Sequence, residues 1–345
     1  MRLNEDSLRS VFNALIPWYI KFSRNLPWRS NPLPYHVWLS EIVFQQTRIE
    51  QGLPYYEKII NRFPDVYALA NAHEDDLLRL WQGLGYYSRA LNLHKAAKKI
   101  VNDYNGEFPE SIDKIKSLPG VGPYTAAAVA SIAFEQPVAV FDGNVRRITG
   151  RIFCIPDPEP KLITSVLERI IVEYTPSRFN QSMMELGALV CKPKSPDCVS
   201  CPVKQYCCVF KKGKVGEFPE PKRKTAKQKL HFIYFQIFRK DIPGEFALIK
   251  RSRRSIWKGL YEFPSITSSN VENVSEAFKR AFPGLEITSE PLFLRNSRHE
   301  LTHKSITADF YAIHCKGDFP DNWEWYNEKS ASEKGMHKLM FEFFK

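Results

Sequence analysis

The sequence predicts two domains of different class, an all-α domain first and a smaller α+β domain after it. Three observations carry that expectation. At 345 residues the chain exceeds what one core usually supports, about 250–300 residues. Apolar residues recur at helical spacing through residue 210, and strand-like runs begin only after residue 230. Between the two lies a basic, proline-containing stretch almost free of apolar side chains. An apolar fraction of 43% is that of a well-cored globular chain, which excludes a largely disordered one.

Taken in order, Val11, Phe12, Leu15, Ile16 and Tyr19 form the first helical stripe. Leu77, Leu78 and Trp81 begin another, and Leu91, Ala96, Ala97 and Ile100 continue the period. Leu26-Pro27, Phe63-Pro64, Phe108-Pro109 and Leu118-Pro119 punctuate it, so residues 1–210 read as short helices joined by short loops. Residues 211–229 hold eight Lys or Arg, two Glu and two Pro, which reads as an exposed linker. Such a stretch either tracks a nucleic-acid backbone or is a solvated tether. Within 230–345, Leu230–Phe238 and Ile306–Cys315 are rich in β-branched and aromatic residues and read as strands. Val274, Ala277, Phe278, Ala281 and Phe282 fit a helix face, as do Met336, Leu339, Met340 and Phe343. There is no internal repeat.

The net charge of +11 favours a polyanionic partner, because Lys and Arg release counterions when they neutralise phosphates. No run approaches about 18 apolar residues, so no membrane span is expected. The first residues lack a secretory apolar stretch, and an intracellular, cytoplasmic protein is expected. Four of the seven cysteines fall between Cys191 and Cys207, as C-x6-C-x2-C-x5-C through Cys198 and Cys201. Such crowding reads as metal ligation rather than disulfides; the spacing admits one zinc ion or one iron–sulfur cluster. Cys154, Cys208 and Cys315 lie outside the pattern and read as buried small apolar residues.

Three further segments carry chemistry. Leu118-Pro119-Gly120-Val121-Gly122-Pro123-Tyr124-Thr125 separates two helical segments, and Gly120 and Gly122 allow a tight turn that exposes amides at a helix N-terminus, where phosphate binds. Asp142 precedes a helical run, as an N-cap or as a catalytic carboxylate; both readings are compatible. Glu41 sits among apolar neighbours in Trp38-Leu39-Ser40-Glu41-Ile42-Val43-Phe44-Gln45-Gln46-Thr47, where burial would keep it protonated as an acid.

Taken together, WLSE-x3-QQT, GLGYYSRA (83–90), LPGVGPYTA, DGNVRR, FNQSMMELGALVC (179–191) and the cysteine loop stand in the order and spacing of the MutY family. That family belongs to the endonuclease III/MutY superfamily of helix–hairpin–helix, iron–sulfur DNA glycosylases. The resemblance is strong over residues 10–210 and weaker beyond. It implies an all-α helix–hairpin–helix glycosylase domain (hairpin 118–125, cluster loop 191–207) followed by an α+β Nudix-like domain that recognises 8-oxoguanine. It implies a [4Fe–4S] cluster on Cys191, Cys198, Cys201 and Cys207. The implied reaction is base excision repair: hydrolysis of the N-glycosidic bond of adenine mispaired with 8-oxoguanine or G in duplex DNA, in a bacterial cytoplasm, by a monomer.

In that resemblance Glu41 is the general acid, Asp142 steadies the oxocarbenium-like sugar, and Tyr124 and Asn144 tune the pair. Lyase members carry a Schiff-base Lys where Tyr124 stands, so a monofunctional hydrolase is implied. Gln46 and Tyr86 match residues that wedge into the duplex, with Thr47 beside the first. Arg24, Trp28, Arg29 and Gln181 match positions around an extruded adenine, and Phe44 replaces a familiar Leu. Trp257-Lys258-Gly259-Leu260-Tyr261-Glu262-Phe263-Pro264 looks Nudix-related, yet the Glu-rich hydrolase box is absent and Phe278-Lys279-Arg280-Ala281-Phe282 stands there instead. Arg298-His299-Glu300-Leu301-Thr302-His303 matches the loop that probes 8-oxoguanine, with Thr302 and His303 retained in kind and Leu301 in place of Phe. An oxidised-pyrimidine lyase, a catalytically silent DNA-binding module and a Nudix phosphohydrolase are the competing readings.

Overall fold

The computed structural model describes residues 3–220, 226–239, 241–252, 256–267 and 273–344. The centre of the expected linker, 221–225, lies outside the described residues. The chain folds as two compact units: Met1–Asn71 with Lys95–Arg223, and Ala72–His94 with Lys224–Lys345.

The first unit contains α1 (Glu5–Phe22), α2 (Pro27–Ser30), α3 (Pro34–Val43), α4 (Ile49–Arg62) and α5 (Val66–Ala70). α6 (Glu74–Leu80) belongs to the second unit, and α7 (Ser88–Tyr104) crosses the division. The first unit resumes with α8 (Ile112–Lys116), α9 (Pro123–Ala133), α10 (Gly143–Phe153), α11 (Pro160–Ile171), α12 (Pro176–Leu189) and α13 (Cys208–Lys211). Proline opens α2, α3, α9, α11 and α12. Its fixed φ suits the first helical position, where a backbone N–H would lack an intrahelical acceptor anyway. Leu8, Val11, Phe12 and Leu15 of α1 pack against Ile148, Ile170, Phe179 and Leu186 in one core. Phe12 stacks on Phe179 at 3.7 Å between centroids.

In the second unit an eight-stranded sheet is built from β1 (Gln228–Arg239), β2 (Phe246–Lys250), β3 (Tyr261–Glu262), β4 (Ser265–Thr267), β5 (Leu285–Ile287), β6 (Leu292–Glu300), β7 (Lys304–Gly317) and β8 (Trp323–Tyr326). Its order is β3-β2-β1-β7-β5, with β4 on β1, β6 on β7 and β8 on β2. β1 and β7 run parallel from Gln228↔Lys304 to Arg239↔Cys315. Strand alternation gives β1 two buried faces. Phe232 and Tyr234 join Leu339 and Met340 of α16 (Lys338–Phe343), whereas Ile233, Phe235 and Ile237 join Phe278 of α14 (Val274–Ala281). α15 (Glu328–Ala331) completes the elements. The matched probing segment is a hairpin: Arg298, His299 and Glu300 are on β6, and Leu301–His303 make the turn into β7. Among the described residues no helix is long and apolar enough to cross a membrane.

Candidate active site

α3 is buried at Tyr35 and from Val37 through Val43, which carries Glu41 into the protein. Burial raises the Glu41 carboxyl from its usual 4.5 to about 7. A hydrogen bond with Tyr124 opposes the rise, the Asp142 charge adds to it, and the Arg29 charge opposes it. Burial, with the charges of Glu41 and Asp142, pushes the Tyr124 phenol well above its usual range, so it stays a donor. The structure therefore brings Glu41, Tyr124 and Asp142 into one electrostatic group.

The hairpin positions Tyr124. Gly120 takes φ +77°, open to glycine at little cost, and lets Val121 N–H donate to Leu118 O at 3.1 Å. Gly122 caps α9, Pro123 is its first residue and Tyr124 follows in its first turn. A Cβ on Gly122 would meet nothing within 4 Å, so the cap leaves open room beside the helix N-terminus. Thr125 is buried and its hydroxyl accepts from Gln45 Nε2 at 3.2 Å.

Asp142 caps α10. Its Oδ1 accepts from Val145 N–H and its Oδ2 from Asn144 Nδ2, both at 2.7 Å. Asn144 Oδ1 accepts in turn from Arg147 Nη2 at 2.7 Å. A Cβ on Gly187 would stand 2.5 Å from Asn144 Cβ, so only glycine lets α12 approach here. Capping thus fixes the carboxylate that the sequence also offers for catalysis.

Arg24 and Arg29 converge on Glu185 of α12. Its carboxylate accepts from Arg24 N–H at 2.9 Å and from Arg24 Nε, Arg24 Nη2 and Arg29 Nη2, each at 2.8 Å. Against the burial that would raise it, these bonds hold Glu185 down at about 2. Trp28 is buried, with ring centroids 4.8 Å from Phe44 and 5.0 Å from Tyr56. Phe44 presses on Gly52, where a Cβ would lie 2.8 Å from its ring. Gln181 is buried on α12. Gln46 takes φ +60°, and Thr47 N–H donates to Phe44 O at 3.2 Å.

Cys191, Cys198, Cys201 and Cys207 line one cavity with Ile148, Arg151, Leu186 and Val203 among its walls. Arg151 Nη1 lies 3.4 Å from Cys191 Sγ. Burial raises the thiols of Cys198, Cys201 and Cys207, Cys201 to about 12, so these three as thiolates need a cationic partner. Among the described residues no three His, Cys, Asp or Glu side chains are gathered to hold a single metal ion.

In the second unit, Tyr86 takes φ +49° and is 47% exposed. Its hydroxyl hydrogen-bonds the hydroxyl of Thr302. Leu301 packs against the sheet core, and His303 O accepts from Gln228 N–H at 2.9 Å.

Comparison with known proteins adds to this geometry. The chain is 31% identical to the adenine DNA glycosylase of Buchnera aphidicola subsp. Schizaphis graminum, over 97% of this chain and 99% of that one. It is 36% identical to that of Buchnera aphidicola subsp. Baizongia pistaciae, over 75% of this chain and 74% of that one. The chain belongs to the adenine DNA glycosylase family. A match to the HhH-GPD superfamily base excision DNA repair protein over residues 39–172 makes this family member a hydrolase of the DNA N-glycosylase class. A NUDIX domain matches residues 233–345. For the fold of this glycosylase, the structure of a non-covalent Endonuclease III–DNA complex aligns at TM-score 0.54 and 24% identity, over 61% of this chain and 98% of that one. A thermostable thymine-DNA glycosylase aligns at TM-score 0.56 and 24% identity, over 60% of this chain and 98% of that one.

One feature of this adenine DNA glycosylase differs from what its sequence suggests. Cys154 and Cys208 are not separate buried thiols: they form a disulfide across 54 positions, while Cys315 is buried and free. Cys154 reaches Cys208 because it caps α10 in the left-handed conformation, which turns the chain at the helix end. Glu185, which ties the two arginines, carries the same sequence signal as Glu41, a lone glutamate among apolar residues in Met183-Met184-Glu185-Leu186. The four cysteines fit the iron–sulfur group of the superfamily on their donor chemistry: four sulfurs line one cavity, with the Arg151 guanidinium beside Cys191.

Proposed function

We propose that this enzyme hydrolyses adenine from its deoxyribose where adenine stands opposite 8-oxoguanine or G in duplex DNA, without cutting the strand. The observation that carries the reading is a carboxyl held near pH 7 by burial, bonded to a tyrosine and within the field of a capped aspartate. Glu41 hands its proton to N7 of the extruded base. The C1′–N9 bond then breaks, its electrons leaving with adenine, and positive charge grows on the sugar. Asp142, fixed by Val145 N–H and Asn144, is the anion assigned to stabilise that charge, directly or through a transient C1′ adduct. Glu41, now a carboxylate, removes a proton from the water that attacks C1′.

Tyr124 occupies the place from which a lysine would form an imine, and a phenol supplies no such amine, which supports hydrolysis alone. Gln46 and Tyr86, both with positive φ, are assigned to enter the duplex, and Thr302 with His303 to meet 8-oxoguanine. Cys191, Cys198, Cys201 and Cys207 would hold a [4Fe–4S] cluster, which would cross-link the 191–207 loop rather than act on the sugar. Arg24, Trp28, Arg29 and Gln181 are assigned to the base pocket, with Glu185 tying the two arginines. The division into a catalytic part (1–210), a basic linker (211–229) and a lesion-recognition part (230–345), acting as a monomer on bacterial cytoplasmic DNA, belongs to the same proposal.

Single-turnover assays test it, using duplexes with A opposite 8-oxoguanine, A opposite G, and thymine glycol opposite A. Strand breaks at A that appear only after alkali support the reading. Nicking at thymine glycol without alkali overturns it.

A further inference from the structure

Tyr86 presents a problem of conformation. A tyrosine with φ +49° and a half-exposed ring is costly, and it persists only where its surroundings determine it. Gly83 and Gly85, at φ +96° and +78°, bend the preceding chain, but glycine also leaves that loop free to move. The side chain that fixes it is three residues on. Arg89, in the first turn of α7, is buried, and its backbone N–H donates to Tyr86 O at 2.9 Å. Its Nη2 donates to Gly85 O at 3.1 Å and to Leu84 O at 3.4 Å. The guanidinium lies over two rings, 5.2 Å from the centroid of Trp81 and 5.7 Å from that of Tyr86. Trp81 is wholly buried and its Nε1 donates to the same Gly85 carbonyl at 3.0 Å.

We propose that Arg89 is a positioning residue for Tyr86: anchored on Trp81, it holds the Leu84–Gly85 carbonyls and the Tyr86 ring in the one arrangement that presents the ring outward. Only a planar, multi-donor cation does this. It covers ring faces and bonds carbonyls in its own plane at once, whereas an ammonium is a point charge. Burial draws the Arg89 guanidinium down to about 10, the mark of a cation kept out of water for its contacts. The hydroxyl bond to Thr302 fixes the far end of the same ring. This inference rests on the reading of Tyr86 as a side chain that enters the duplex.

The test compares Arg89→Met, Arg89→Lys, Tyr86→Ala and the double variant Arg89→Met/Tyr86→Ala in the full chain with its cluster. Two readouts are taken on enzyme counted by active-site titration. One is the single-turnover rate of adenine release at saturating enzyme, and the other is fluorescence of 2-aminopurine placed beside 8-oxoguanine, which reports unstacking. Arg89→Met is expected to slow release about tenfold, the order of one lost ring–cation contact with its carbonyl bonds, and to dim the fluorescence change. Arg89→Lys is expected to recover only part of both. In the Tyr86→Ala background Arg89→Met should slow release less than about twofold further, because coupled residues are not additive. An equal loss in both backgrounds, or none in the first, overturns the positioning role while leaving Tyr86 as the wedge. Unchanged release and fluorescence in Tyr86→Ala alone overturn the wedge reading, and this proposal with it.

Discussion

Replacing Glu41 by glutamine changes one proton site and almost no volume, so it isolates what the buried carboxyl does. The carboxyl rises from 4.5 to about 7 in the folded protein. Between those values the native state holds a proton that the unfolded chain has released, so stability falls as pH rises through the window. At about 1.4 kcal/mol per pH unit, the whole window is worth about 3 kcal/mol. The contribution is complete below pH 4.5 and lost above pH 7. Glutamine is neutral throughout and escapes that loss. Unfolding of wild type and Glu41→Gln, followed by denaturant titration between pH 4 and 8, should therefore diverge, the variant gaining about 3 kcal/mol relative to wild type across the range. Adenine release by the variant should vanish, and wild-type release should fall about tenfold per pH unit above its midpoint near 7, as the acid form is lost. A stability difference flat with pH would mean that the carboxyl carries no displaced proton. Undiminished release by Glu41→Gln would remove it from the chemistry.

Three further outcomes follow from the same contacts. Tyr124→Phe removes a hydrogen bond that lowers the Glu41 carboxyl, so the alkaline limb of the release profile should move to higher pH; a shift to lower pH contradicts the assigned direction. Glu185→Gln takes away the carboxylate held at about 2, whose stabilising effect is present above 4.5 and lost as pH falls towards 2. At neutral pH that change should cost about 3 kcal/mol by denaturant titration, because two arginines lose their shared partner. Cys208→Ser opens a loop closed across 54 positions, worth about 4 kcal/mol of unfolded-chain entropy. The loss should appear in oxidised protein, disappear after dithiol treatment of both forms, and leave iron content at four per chain.

How much of this was legible in the sequence depended on range. Glu41 and Asp142 declare themselves locally, one by apolar neighbours and the other by preceding a helical run. The prolines mark helix starts because their φ is fixed whatever packs nearby. Cys191, Cys198, Cys201 and Cys207 are close enough in sequence for spacing alone to group them. Cys154 and Cys208 are not, and nothing in their spacing encodes which thiol meets which. Glu185 had its signal, but the partners that give it meaning, Arg24 and Arg29, lie more than 150 residues away. Short strands such as β3 and β4 exist through cross-strand partners rather than their own composition. The polar pattern of β6 hides a strand for the same reason.

The place of residues 72–94 has a practical consequence for anyone who wants to take this enzyme apart. Lys250 pairs with Asp75 at 2.8 Å, Tyr87 bonds Met336 O at 3.2 Å, and a Cβ on Gly335 would come within 2.9 Å of Leu78. A cut through the basic stretch would leave Leu78 and its neighbours on one fragment and their counterparts on the other, each with freshly bared apolar surface prone to stick. A chimaera that borrows the last domain from a relative must carry the matching 72–94 segment along with it, or the graft will arrive without its seat.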